Sequence, residues 1–223
     1  MSPATPASIS IFPPPRPAFY NRPTLDVAAS LLGMLLMRAE PDGTCTAGII
    51  QEVEAYIGQG DLGCHARSGR TQRNDAMWGP PGHAYVYFTY GMHWMLNVVT
   101  EAEEMPAAVL LRAVVPVSGI EHMRARRKHK PDRILCDGPA KLCQAFAIDR
   151  SFNHHNLCDP ASLLTIRPGY SVDPARIQRT ARIGLENVPE PWKNIPWRLY
   201  IPTDGLLLDK NGKITPNGEC KPA

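Results

Sequence analysis

The chain has 223 residues, 43% of them hydrophobic, with 24 lysines and arginines against 21 aspartates and glutamates and a formal net charge of +3. That length and apolar share suit a single soluble domain with its own core, and no apolar run is long enough to span a bilayer. A net charge this small does not by itself point to a nucleic-acid partner, so the distribution of charge carries more than its sum.

Residues 1–17 contain six prolines and little that can pack, and read as a disordered tail. No charged start leads into an apolar block, so no secretory leader is read there; the expected location is cytoplasmic, at the nucleoid in a bacterium, or nuclear in a eukaryote. Order is expected from about Phe19. Thr24 suits the N-cap of a helix through Leu31 and Leu32, with Gly33 as its stop. Met34–Arg38 reads as a strand and Pro41-Asp42-Gly43 as a turn. From Thr44 a second strand returns antiparallel through Ile49 and Ile50 into Gln51-Glu52-Val53-Glu54-Ala55-Tyr56-Ile57. There the pattern has period two. Val53, Ala55 and Ile57 fall on one face, and Glu52, Glu54 and Tyr56 on the other. Whatever covers that second face decides between solvated acids and working carboxylates.

Residues 58–83 are rich in glycine and proline and read as a long loop without a core of its own. It holds Asp61, His65 and Asn74, with Arg67, Arg70 and Arg73 at intervals of three and no acid among them. A loop this long is either functional or mobile. Ala84–Tyr90 and Trp94–Thr100 read as a hairpin turning at Gly91-Met92, with Tyr90 at its tip and Tyr85 and Tyr87 on one face. Glu101–Pro106 is an acidic connection, expected to face away from any anionic partner. Ala107–Val115 is an apolar strand broken only by Arg112, which must be paired or point into a polar cavity. Residues 120–133 carry six lysines and arginines against two acids, an excess larger than that of the whole chain. Their first half is expected to be helical. Asp137-Gly138-Pro139 opens a helix through Phe146 with Lys141 in its first turn, a phosphate site through free amides. Leu163–Arg167, Ile177–Ile183 and Leu199–Ile201 read as short strands, and 205–223 as a C-terminal tail.

The six cysteines form no C-x-x-C pair and are expected to be free thiols. His154-His155 with Cys158 lacks further ligands and reads as a loop, so no metal is expected. No phosphate-binding glycine loop and no G-x-S-x-G elbow is present, so no nucleotide cofactor and no serine nucleophile is implied. What remains is an acid beside a tyrosine, a histidine in a basic loop, an aromatic hairpin and two more basic segments. These fit a pocket with π surfaces and one general base, set in a phosphate-binding surface, as chemistry on a nucleobase drawn from its stack requires.

The ordered set Glu52-Val53-Glu54-Ala55-Tyr56-Ile57-Gly58, His65, Arg73-Asn74, Tyr85-Val86-Tyr87, Tyr90-Gly91-Met92, Asn97, Leu110-Leu111-Arg112-Ala113 and Gly138–Cys143 closely resembles the alkyladenine (3-methyladenine) DNA glycosylase family. The resemblance covers roughly residues 18–202. It implies a mixed α/β (α+β) fold, a single domain over 18–204 around a curved antiparallel sheet with flanking helices, unrelated to helix-hairpin-helix enzymes. It further implies Glu54 as the general base for water attacking C1′, and Tyr56, His65 and Tyr87 around the flipped base. Tyr90 would fill the gap in the duplex, Asn97 would crowd a purine 2-amino group, and Arg112 would hold the nucleotide. DNA-backbone contacts are expected from Arg70, Arg73, Arg124, Arg127 and Lys141.

The implied activity is cofactor-free, monofunctional removal of alkylated or deaminated purines (3-methyladenine, 7-methylguanine, hypoxanthine, ethenoadenine) from double-stranded DNA, by a monomer without membrane contact. One carboxylate suffices to stabilise an oxocarbenium-like state and to activate water. A cationic purine stacks well on tyrosine and histidine faces. Two alternatives stay open at this stage. One is a non-catalytic binder of flipped bases. The other is a hydrolase of free nucleosides or glycosides using Glu52 and Glu54 as a pair.

Overall fold

The alternating stretch lies in strand β2, Cys45–Ile57, in a computed structural model that describes residues 12–202. Val53 and Ala55 are fully buried on its core face. The other strands are β1 (Leu35–Ala39), β3 (Ala84–Thr89), β4 (His93–Val99), β5 (Ala107–Ser118), β6 (Leu164–Arg167), β7 (Gln178–Thr180) and β8 (Arg198–Tyr200). All eight form one sheet with the order β3-β4-β5-β2-β1-β6, and β7 joins it through β8. Every pairing is antiparallel.

β2 is longer than β1 can cover. β1 takes Cys45–Ile49, and beyond it β8 takes Glu52–Glu54. The β2–β5 register shifts on both sides of Glu52, leaving Gln51 and Arg112 without partners across the pair. Such bulges bend and twist a sheet and re-aim side chains. The chain spends them at the acids and at the one charged residue of β5.

Helices α1 (Pro17–Tyr20), α2 (Thr24–Leu31), α3 (Ile120–Arg126) and α4 (Pro139–Ala145) accompany the sheet. Leu31 of α2 and Leu142 of α4 join Val53, Ala55 and Phe146 in the main core. A second, smaller core lies on the opposite face of β2. There Cys64, Ala66, Ala76 and Met77 pack against Tyr85, Val99 and Ala108. The 58–83 connection, expected to lack a core, thus brings its own apolar residues and two 3-10 turns, His65–Ser68 and Asp75–Trp78.

Other expectations shift locally. Pro23, not Thr24, occupies the cap of α2; the Thr24 hydroxyl donates to Glu101 Oε1 at 2.5 Å. The hairpin turns over Tyr90, Gly91 and Met92, between the paired Thr89 and His93. The expected Gly91-Met92 lie in it and Tyr90 joins them, with φ of 51° and 67° at Tyr90 and Gly91 and Met92 N donating to Thr89 O at 3.2 Å. The 177–183 strand shrinks to Gln178–Thr180, because residue 183 is drawn away toward Glu54. Part of the expected 1–17 tail is packed: Pro14 is buried, α1 begins at Pro17, and Arg167 reaches Phe12 O. Residues 1–11 and the expected tail 205–223 lie outside the described residues. Among the described residues the five cysteines are free, and no helix is long and apolar enough to cross a membrane.

Candidate active site

Strand register lays out the floor of a cavity. Glu54 stands opposite Leu110, Leu110 opposite Asn97, and Asn97 opposite Tyr85. Residues directly opposite on antiparallel strands share a face, so this row runs across four strands on the side away from the main core. Tyr56 and Tyr87 lie two residues further along their strands on the same face. The 58–83 connection contributes His65 and Met77, and the turn at 183–185 closes the other side. The space they line is about 330 Å³, at the lower end for small-molecule pockets and ample for a single base.

Glu54 is fully buried. Its Oε1 accepts from the Ile183 amide at 2.7 Å, and its Oε2 from the Tyr56 hydroxyl at 2.8 Å. Arg112 Nη1 lies 3.3 Å from Oε1. The carboxylate sits one layer behind the wall: Tyr56, Arg112 and Ile183 line the cavity, and each touches it. Burial pushes the Glu54 carboxyl above its ordinary range, more than Arg112, the Ile183 amide and Tyr56 pull it down. Burial and the adjacent Glu54 carry Tyr56 well above the usual phenol range, so its hydroxyl keeps its proton and donates.

Glu52 has the opposite surroundings. Its Oε1 accepts from Arg112 Nε at 2.6 Å and from Arg198 Nε at 2.7 Å. Partial burial alone would raise its pKa, but hydrogen bonds from Arg198 and Arg112 outweigh it and hold the carboxyl below its ordinary value. Two acids on one strand face are thereby driven apart, one by burial and the other by its two arginines.

The aromatic wall is uncharged at neutral pH. His65 Nδ1 lies 2.9 Å from the Tyr85 hydroxyl, and its ring meets Tyr87 edge-on at 4.5 Å between centroids. Enclosure of the ring, with Arg73 and Arg67 nearby, lowers the His65 pKa to about 4. Burial pushes Tyr87 up to about 12. Tyr85 and Tyr87 lie 5.3 Å apart. Asn97 is buried, and its amide donates to Tyr85 O at 3.0 Å, which orients the side chain on the cavity floor.

Two further residues reach this site. Asp61, noted in the loop without a role, and Arg182, not singled out in the sequence, form a bidentate pair at 2.5 and 2.7 Å with both side chains fully buried. Arg182 also donates to Ala55 O at 2.9 Å, and its guanidinium lies 4.6 Å from the Tyr56 ring centroid. The partners are 121 residues apart in the chain, and no local motif links them. The only sequence hint was an arginine in a stretch that otherwise read as a strand.

The expected DNA-facing residues divide. Tyr90 stands at the hairpin tip, 81% exposed. Arg73 is exposed, bonds Phe88 O and lies 5.6 Å from the Tyr87 ring. Arg70, by contrast, is held by Asp75 and by Glu104, so the acidic 101–106 connection turns toward the basic loop. Arg124 pairs with Glu121 and Asp132. Arg127 donates to Gln144 at 2.5 Å, and Lys141 pairs with Asp137 at 2.8 Å. Arg70, Arg124 and Lys141 thus form ion pairs inside the protein, whereas Arg127, like Arg73, is bonded only by neutral groups among the described residues. Among the described residues, no group of three or more histidines, cysteines and acids is placed to hold a metal ion.

Comparison with known proteins bears on this arrangement. A family model described as methylpurine-DNA glycosylase matches residues 18–205. A protein of Myxococcus xanthus is 43% identical over 206 residues, 92% of this chain and 97% of the relative. One of Carboxydothermus hydrogenoformans is 47% identical over 192 residues, 86% of this chain and 97% of the relative. A third, from Chlorobaculum parvum, is 43% identical over 183 residues, 82% of this chain and 85% of the relative. All three carry the name "Putative 3-methyladenine DNA glycosylase".

Proposed function

The chain belongs to the methylpurine-DNA glycosylase family of DNA N-glycosylases, and on that premise we propose that it hydrolyses alkylated or deaminated purines from double-stranded DNA, with Glu54 as the general base. The carrying observation is a carboxylate kept out of water behind a cavity with room for one base, with its three partners in the cavity wall.

The damaged nucleotide leaves the stack, and Tyr90 fills the space it vacates. Extrusion costs a few kcal/mol, least for a base that is already mispaired or damaged. The purine lies among Tyr56, His65 and Tyr87, and Asn97 meets the edge that carries the 2-amino group in guanine. A cationic ring such as 3-methyladenine or 7-methylguanine gains from the faces of these rings. Ethenoadenine and hypoxanthine are the neutral substrates of the same slot. As the N-glycosidic bond breaks, positive charge grows on the sugar, and a buried carboxylate stabilises it more strongly than it would in water.

Each Glu54 oxygen accepts one hydrogen bond in the free protein and keeps a further lone pair. The attacking water enters as the DNA seats, beside Arg112, and gives its proton to Glu54. Among the described residues Glu54 is held by Ile183, Tyr56 and Arg112 and not by a lysine, which supports hydrolysis without an amine nucleophile. Glu52 is engaged by two arginines, which argues against a Glu52–Glu54 pair acting on free nucleosides.

A paired assay tests this. A duplex bearing one hypoxanthine or ethenoadenine and, separately, free inosine are incubated with the protein. The expected result is alkali-labile breakage at the lesion and no hydrolysis of inosine. Cleavage of inosine alone, or tight lesion binding with the DNA left intact, overturns the proposal.

A further inference from the structure

The buried Asp61–Arg182 pair is costly in a way stability does not explain. Removing two charges from water costs several kcal/mol each, and well-packed apolar side chains of similar volume serve a fold as well or better. The pair sits where it ties down more than itself. Asp61 Oδ1 accepts from the Gly63 amide at 2.9 Å, and Oδ2 from the Ile57 amide at 3.3 Å. Arg182 bonds Ala55 O and lies against two rings, 4.6 Å from Tyr56 and 5.2 Å from Trp197. A Cβ at residue 63 would stand 2.7 Å from both Arg182 Nη2 and Leu185 Cδ1, so any larger residue there would have to displace the guanidinium and Leu185. The end of β2, the 61–63 turn and the irregular 181–185 segment therefore meet at one cation.

The next residue, Ile183, donates its amide to Glu54 Oε1 at 2.7 Å. Tyr56, under the guanidinium, donates its hydroxyl to Oε2 at 2.8 Å. Of the three groups that hold the carboxylate, the Ile183 amide is thus placed by Arg182 in a segment with no helix or strand to fix it, and the Tyr56 ring, whose backbone β2 holds, lies against the same guanidinium. The third, Arg112, is fixed independently by Glu52.

We propose that Asp61 and Arg182 are positioning residues for the DNA glycosylase reaction: the pair clamps the 182–183 backbone and the Tyr56 ring, so that the Ile183 amide and the Tyr56 hydroxyl hold Glu54 where water must be activated. The inference rests on Glu54 being the base. A merely structural pair predicts that any folded replacement behaves as wild type. The clamp predicts that Glu54 loses donors and becomes a more easily protonated, less well aimed carboxylate. A misplacement of about 1 Å in a catalytic constellation costs on the order of a hundredfold in rate.

Two variants separate these outcomes. Arg182→Lys keeps the charge but loses the fork and the ring contacts; Asp61→Leu combined with Arg182→Met replaces the pair by apolar groups. The Glu54 carboxyl is titrated by 13C NMR in the free protein, alongside single-turnover excision and binding of DNA holding an abasic-site analogue. In both variants the Glu54 midpoint is expected to move up. Excision should fall about ten- to a hundredfold at neutral pH, with the acid limb of its pH profile moved the same way, and analogue binding should be nearly unchanged. A wild-type Glu54 titration in either folded variant overturns the proposal, as does failure of both to fold, which makes the pair structural. The titration needs no turnover, so an inactive wild type counts against the proposed function and leaves this inference to be decided by NMR.

Discussion

Two glutamates on one strand face are separated by what touches them. Glu52 is bonded by two guanidinium groups and stays ionised; Glu54 is sealed behind Tyr56 and Ile183, and burial lifts its carboxyl. Arg112 lies between them, 2.6 Å from one and 3.3 Å from the other. The charge on Glu52 raises the Glu54 pKa. In Glu52→Gln that charge is gone and Arg112 is freer to serve Glu54, so the Glu54 pKa falls. The ionised form then persists to lower pH, and the acid limb of single-turnover excision is expected to shift down. Arg112→Gln is expected to shift it up. Equal limbs in both variants would mean that Arg112 is not the shared counter-ion. Period-two alternation showed that the acids share a face. It could not say which one is sealed, because that depends on β8 and on the 183 turn, more than 120 residues away in the chain.

At the scale of elements, the hairpin and its tip were legible, and the left-handed backbone of the tyrosine at that tip was not. Strong strand composition on both arms located β3 and β4. The turn is centred on Tyr90 and Gly91, and places a tyrosine at φ 51°. Left-handed backbone costs a non-glycine residue roughly 1–2 kcal/mol, and asparagine and aspartate bear it best. An 81% exposed aromatic recovers little of that by burial. Tyr90→Asn is therefore expected to melt no lower than wild type, and up to a few degrees higher, while holding lesion-containing DNA less tightly. A variant that melts well below wild type would make Tyr90 a packing residue instead. The 58–83 connection misled for a different reason. Its apolar residues Cys64, Ala66, Ala76 and Met77 are few and widely spaced, with no period to detect. They pack only because β3, β4 and β5 offer Tyr85, Val99 and Ala108 to meet them. The curved sheet was implied by family resemblance; the bulges that bend it at Glu52 and Arg112 carry no signal in composition.

Across the whole molecule, charge density in the sequence does not show which cations are paired within the protein. The basic run 120–133 spends Arg124 on Glu121 and Asp132, and Arg126 on Glu40. Arg73 makes no ion pair among the described residues and stands beside the cavity. Neutralising one phosphate-contacting cation lowers the slope of log affinity against log salt by about one. Arg73→Gln is expected to do this for lesion DNA. Arg124→Gln is expected to leave the slope nearly unchanged, with stability altered only slightly because its ion pairs are solvent-exposed. The reverse ranking would place the duplex on the α3 side.

Glu54 carries the proposed chemistry, and its most direct test is single-turnover release of hypoxanthine from a duplex by wild type and Glu54→Gln, with binding of the same duplex measured in parallel. The expected result is a loss of at least about a hundredfold in release with binding retained. Release within a few-fold of wild type by a folded Glu54→Gln variant would contradict the claim that this buried carboxylate is the base.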